Sequence, residues 1–379
     1  MKTIPDPVWM PKNDSRPPVD IVGGMDMTRR DLIARLGAGA VAPFLAQQRP
    51  AVERGAVIRT LLTDMPPDSI SGAILFHEHL SIRFPLTKAL AEKAGRPVPA
   101  SFTDDVDLMI EETKAAGKDG VGCIVDGGHP DMDRDLDALK RIASASQIPI
   151  VASGGFYMQR NYPADIATKS ADQLADELVR DAKAQRLGAF GEIGQQGGVL
   201  TDDERKVFTA VGKAQVKIGL PIFTHNAYTG VRVVDPPVPM DTALKQVDVL
   251  EAAGANPRHL AIGHVCCLDD PKAQIAQQLA KRGVFVGFDR VTINAIIPDE
   301  KRVAMILAFL DAGFADHLLL SSDFSNGRAF KKNGGPGVAQ TVTAFAPMLV
   351  KAGVSEATVK HILEDNPRRF LAFVPQSGS

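Results

Sequence analysis

The chain is short of cysteine, of net charge and of long apolar runs, and each shortage closes off a class of protein. Three cysteines in 379 residues, Cys123, Cys266 and Cys267, are too few for a disulfide framework. Cys266 and Cys267 are adjacent in an apolar context and read as buried free thiols. Lysine and arginine number 43 against 45 aspartates and glutamates, a formal net charge of −2. That balance gives no electrostatic footing for nucleic acid or for an anionic membrane. No segment is long and apolar enough to span a bilayer stably. No glycine-rich phosphate-binding turn follows the first apolar run, which weighs against a doubly wound open sheet. Neither a Schiff-base lysine nor a late phosphate loop supports a metal-free barrel aldolase or isomerase. Hydrophobic residues make up 45% of the chain, enough for a large core in one big domain or two medium ones.

The first 50 residues are not expected to belong to the fold. Residues 1–24 are rich in proline and polar side chains and lack an apolar period. They read as a disordered leader, or as a start placed too early. Residues 25–50 carry Arg29-Arg30, then Leu32 and Ile33, then an Ala/Gly-rich stretch ending near Ala46. This pattern reads as a twin-arginine export signal, with an ordinary amphipathic helix as the alternative. Export of a folded protein to the periplasm is the expectation that follows.

From about Val57 onward, eight short apolar runs alternate with helix-like segments. The runs are 71–76, 121–125, 148–152, 188–193, 221–224, 260–262, 284–288 and 317–320. They are rich in Val, Ile and Leu without clean alternation, as strands covered on both faces should be. Between them lie amphipathic stretches such as "SADQLADELVRDAKAQ" and "DDERKVFTAVGKAQVKIG", opening at plausible N-caps and closing at glycine. Eight strand–helix units predict an α/β fold, a (β/α)8 TIM barrel over residues 56–379.

Barrel chemistry sits at the C-terminal ends of the strands. The first run ends in His77-Glu78-His79, the fourth carries Glu192, the fifth ends in His225, the sixth in His264 and the eighth in Asp323. Residues two apart on a strand share a face, so His77 and His79 can point into the barrel mouth together while Glu78 points away. An HxH alone is a weak signal. Four of only eight histidines gathered at strand ends, with a glutamate and an aspartate, point to a metal centre. Six nitrogen and oxygen ligands without cysteine suit divalent ions, zinc first, with manganese, cobalt or iron as alternatives. Two ions close together would use all six ligands if a carboxylate bridges them. They could then hold a bridging hydroxide as nucleophile.

"FHEHL", "GEIG", "FTHN", "IGH" and "SSD", in this order on these strands, resemble the phosphotriesterase-related family of the amidohydrolase superfamily. The likeness runs from about Ala56 to Phe373 and takes in "CIVDGG", "SGGFY", "PDEKRVAM", "NGGPG" and "EDNPRRFL". The resemblance implies a hydrolase of esters, lactones, amides or phosphotriesters with a binuclear metal centre. It puts His77, His79 and Asp323 on the more buried ion, and His225 and His264 on the more exposed one. Asp323 would also move the proton of the attacking water. Where the namesake enzymes bridge their ions with a carbamylated lysine, this chain has Glu192, as some relatives do. That departure weakens the case for phosphotriesters and favours esters, lactones or amides.

The resemblance also suggests substrate contacts for Tyr157 and Arg290. Packing under a loop is the alternative for Tyr157, and an ion pair with Asp289 or another loop carboxylate for Arg290. Arg328, Lys331 and Lys332 form either a basic mouth or a solvated loop. The partner expected is a small molecule, with neither nucleic acid nor stable membrane insertion, and the resemblance allows a homodimer. A metal-binding barrel without hydrolase activity and a metal-dependent deoxyribonuclease stay as alternatives, the latter disfavoured by the absence of a basic stripe.

Overall fold

Eight strands, too uniformly apolar for a solvent-facing sheet, line up side by side in chain order. A computed structural model describes residues 52–83, 91–230, 238–294 and 296–376. The expected leader (1–24) and twin-arginine segment (25–50) lie outside the described residues. The strands are β1 (Ala73–Glu78), β2 (Val121–Asp126), β3 (Ile150–Gly154), β4 (Ala189–Gly194), β5 (Ile222–His225), β6 (Leu260–Ile262), β7 (Phe285–Phe288) and β8 (Leu318–Leu320). Each pairs in parallel with the next, from β1 through to β8. Loop contacts join the two ends of the sheet. The His77 amide donates to Ser321 Oγ at 3.0 Å, and the Asp323 amide donates to the His77 carbonyl at 3.2 Å. The result is the nearly closed (β/α)8 barrel that the sequence predicts.

Helices α1 (Val106–Lys118), α2 (Leu136–Ser146), α3 (Ala171–Gln185), α4 (Asp202–Ile218), α5 (Thr242–Ala252), α6 (Gln274–Lys281) and α7 (Asp299–Asp311) lie between successive strands. Their ends are written into the sequence. Ser170 with Gln173 and Thr201 with Glu204 form reciprocal capping boxes on α3 and α4. Gly219 ends α4 with a φ of 77°. Beyond β8, shorter helices (Ala346–Lys351, Glu356–Lys360 and Asn366–Leu371) complete the shell.

The core has two layers. One lies between sheet and helices. The other fills the barrel lumen with Ile74, Phe76, Cys123, Val125, Val151, Ala189, Phe223, Ala261, Phe285 and Leu319. Phe370 packs its ring against Phe76 and Phe285 and plugs the bottom. All three cysteines are free and buried.

The lumen residues set a parity, because alternate residues of a strand face the same way. On β5 and β7 that parity carries straight to the mouth, from Phe223 to His225 and from Phe285 to Asp289. On β1 it does not, since Ile74 and Phe76 would send Glu78 inward. A break in pairing register between Leu75 and Glu78 reverses the alternation, so that His77 and His79 take the inner face. A second break, between Phe190 and Ile193, does the same for Glu192 on β4. Gly191 sits at that break because a Cβ there would lie 2.4 Å from the Phe223 ring.

Candidate metal centre

The described strand ends bring every expected ligand to one point. His77, His79, Glu192 and Asp323 each offer a ligand atom within 4.8 Å of the others, and so do Glu192, His225 and His264. Glu192 belongs to both groups. Its Oε1 lies 3.1 Å from His79 Nε2, and its Oε2 lies 3.4 Å from Nε2 of both His77 and His264. Asp323 Oδ1 closes the inner group at 3.2 Å from His79 Nε2. His225 stacks edge-on against His264, ring centroids 4.5 Å apart. All six are buried.

The donor set fits divalent ions. Nε2 of His77, Nε2 of His264, Nδ1 of His225 and Oε2 of Glu192 are buried atoms without hydrogen-bond partners. Buried polar atoms normally find partners, and unpartnered ligand atoms gathered around one carboxylate are what two ions sharing that carboxylate require.

Asp289 is a functional residue that sequence reasoning left without a role. It sits below the ligands and orients two of them. Its Oδ2 lies 2.9 Å from His77 Nδ1 and its Oδ1 lies 3.0 Å from His264 Nδ1. Oδ1 also accepts the His264 amide at 2.7 Å. A carboxylate on Nδ1 keeps the proton there and leaves Nε2 free to bind a metal. The same fully buried Asp289 is therefore not the partner of Arg290. Arg290 Nη1 instead lies 3.4 Å from Asp323 Oδ2, and the Arg290 amide donates to Cys266 Sγ at 3.3 Å.

Glu78 points away from the mouth, as expected, but not toward solvent. It is fully buried and clasps the loop after β8. Oε1 accepts from the Ser322 amide at 2.9 Å and from Ser321 Oγ at 2.9 Å, while Oε2 accepts from the Phe324 amide at 2.7 Å and Ser322 Oγ at 2.8 Å. The residue held between those two amides is Asp323, whose φ of 48° turns it into the mouth.

Tyr157 reaches the site too, its ring edge-on to His225 at 5.1 Å. The basic loop is less concentrated than its sequence suggests. Lys331 pairs with Asp119 at 2.6 Å, while Arg328 and Lys332 line an open cleft with Phe102, Leu108 and Phe330. Phe324, the residue after Asp323, packs its ring against both Phe102 and Phe330 of this cleft.

The electrostatics are dominated by three buried carboxylates facing one guanidinium. Burial pushes His79 down, but the Asp323 and Glu192 carboxylates outweigh it and hold its pKa up at about 10. At His264, burial is outweighed by Asp289, and the value is about 9. His77 is raised well above the ordinary histidine value, burial losing to Glu192 and Asp289. His225 goes the other way, to about 3, through burial and the charge on His264. Asp323 stays below the usual carboxylate range because Arg290 and His79 offset its burial. The pocket demands positive charge. The raised pKa values of His77, His79 and His264 answer that demand, and divalent ions bound at the same atoms would compete with protons there.

The model of the phosphotriesterase family matches residues 60–371. The chain belongs to the phosphotriesterase family. It is accordingly a metal-dependent hydrolase acting on small molecules. The phosphotriesterase homology protein of Escherichia coli K12 is 29% identical over 314 residues, 79% of this chain and 98% of that one. Its crystal structure, complexed with phosphate in the active site, matches with a TM-score of 0.69 at 28% identity, covering 80% of this chain and 99% of that chain. An N-acetyltaurine hydrolase from Bos taurus is 26% identical over 358 residues, covering 83% of this chain and 98% of its own length. An aryldialkylphosphatase from Saccharolobus solfataricus is 26% identical over 318 residues, covering 79% and 95%. Family membership thus spans more than one kind of bond.

Proposed function

We propose that the chain hydrolyses an ester, lactone or amide at a centre for two divalent ions, between which Glu192 would be shared. The observation that carries this reading is the presence of Glu192 in both ligand groups. His77, His79 and Asp323 would complete the inner position, and His225 and His264 the outer one. Zinc is the first choice, because imidazole and carboxylate suit it. Ions held there supply what paired metals supply in hydrolases generally, water made acidic enough to attack at neutral pH and a polarised substrate oxygen.

The chain's own groups do the rest. Asp323 remains a carboxylate because Arg290 and the histidines stabilise its charge, so it can accept a proton from the attacking water and pass it on. Arg290, buried with an unpartnered Nε, offers donors to an oxygen of the substrate. Tyr157 walls the outer position beside His225. The N-acetyltaurine hydrolase relative is named for a substrate with an amide bond, which supports carbonyl chemistry. Glu192 in place of a carbamylated lysine points the same way. Among the described residues no helix is long and apolar enough to cross a membrane. Export to the periplasm through the Arg29-Arg30 segment belongs to this proposal as well.

The metal-loaded protein, assayed against lactones, aryl esters, N-acyl amino acids and a phosphotriester, tests the reading. Turnover of a carbonyl class at least about 100-fold above the phosphotriester in kcat/KM is expected. Preference for the phosphotriester would overturn the choice of substrate class.

A further inference from the structure

The loop after β2 holds a histidine and an aspartate that sequence reasoning passed over. His129 is fully buried. Its Nε2 lies 3.1 Å from the backbone carbonyl of Glu192, and its Nδ1 meets Asp131 Oδ1 in a close contact. A carbonyl only accepts, so Nε2–H is the donor. The other oxygen of Asp131 accepts the backbone amide of Tyr157 at 2.8 Å. The Glu192 amide donates to the carbonyl of Gly127, in the same loop, at 3.2 Å. Both backbone polar groups of Glu192 are thus tied to one loop, which also holds Tyr157.

We propose that His129 and Asp131 are positioning residues for the outer half of the metal centre, fixing Glu192 and Tyr157 against His225. This inference rests on the binuclear reading above. The dyad touches no ligand atom and works through the backbone of Glu192. Its effect should be uneven. The inner position keeps His77, His79 and Asp323 if Glu192 shifts, whereas the outer keeps only His225 and His264. Loss of the dyad should therefore weaken the outer ion far more than the inner one. Residues that orient metal ligands typically change affinity by about 10- to 100-fold.

The test uses three variants of the full chain, His129→Phe, His129→Gln and Asp131→Ala, each titrated with Co²⁺. Ions per chain and the visible absorption of bound cobalt are recorded, with the melting temperature of the metal-free form. Phenylalanine keeps the ring and removes both hydrogen bonds. Glutamine restores a donor near the position of Nε2. His129→Phe should bind the inner ion normally and the outer ion about 10- to 100-fold more weakly, with a changed cobalt spectrum. His129→Gln should recover affinity to within about threefold of wild type. Wild-type outer-ion affinity and spectrum in His129→Phe would overturn the proposal, even with a lower melting temperature, since packing alone would then account for the residue. Should His129→Phe not fold, Asp131→Ala carries the test, with the same loss expected and unchanged outer-ion binding overturning it. A wild type that binds fewer than two cobalt ions overturns the binuclear reading itself and removes the outer ion this inference needs.

Discussion

Loading the metal-free protein with divalent ions should release protons, and the structure says from where. His77, His79 and His264 are each held above their ordinary pKa by Glu192, Asp323 and Asp289, while His225 is neutral. A coordinating imidazole nitrogen cannot carry a proton. Filling both positions near pH 7 should therefore displace a proton from the inner ligand His79 and one from the outer ligand His264, with His77 and a metal-acidified water adding to the release. Each proton displaced raises affinity about tenfold per pH unit. Inner-ion and outer-ion affinity should each climb at least about tenfold per pH unit between about pH 6 and 8, through His79 and His264. Calorimetric titration in buffers of different ionisation enthalpy counts the protons directly. The same groups bear on stability. His79 and His264 sit at about 10 and about 9 when folded, above their ordinary value of 6.5. Their contribution is complete below 6.5 and is lost as pH rises through 9 to 10. The metal-free protein should lose melting temperature across that alkaline window, and the loaded protein should hold it. Binding of two ions without proton release would refute the argument that protons neutralise the carboxylates.

Four further outcomes are expected. Asp323→Asn should lower kcat by at least about 100-fold, as removal of a proton-transfer group does, while most of the metal stays bound; near wild-type turnover would rule out its proton role. Glu192→Ala should lose metal from at least one position by elemental analysis, and full retention of two ions would show that Glu192 is not the bridge. Glu78→Gln leaves one buried amide, that of Ser322 or of Phe324, facing an NH2 whichever way the new side chain sits. It should cost about 1–3 kcal/mol by urea denaturation and lower kcat more than it raises KM, because Asp323 lies between those two amides. Arg29→Lys with Arg30→Lys should leave the protein in the cytoplasmic fraction, and unchanged recovery from the periplasm would remove the twin-arginine proposal.

The barrel was legible because its signals are local. Apolar runs of strand length and helices bounded by Ser, Thr and Gly repeat along the chain, and boundaries differ only at the edges. The first strand was expected over 71–76 and runs Ala73–Glu78, because Glu78 pairs in register with Asp126 on β2. The ligands were legible because a strand end is also a position in the sequence. What orients them was not. Asp289 acts on His77 from 212 residues away, Glu78 on Ser322 from 244, and His129 on Glu192 from 63. Chain spacing carries no trace of such pairs. The register breaks on β1 and β4 were equally hidden. Simple alternation placed His77 and His79 together correctly, but only the break after Leu75 explains why they share the lumen with Phe76.

The most direct test of the central claim is metal per chain. The protein from about Ala51 onward would be expressed with zinc, manganese and cobalt supplied, and its metal measured by plasma emission spectroscopy. Close to two ions per chain in the wild type, falling in Glu192→Ala, is the result expected from a carboxylate shared by both ligand groups. Close to zero ions per chain in the wild type would mean that His77-Glu78-His79 is only a polar strand end, and would contradict the account.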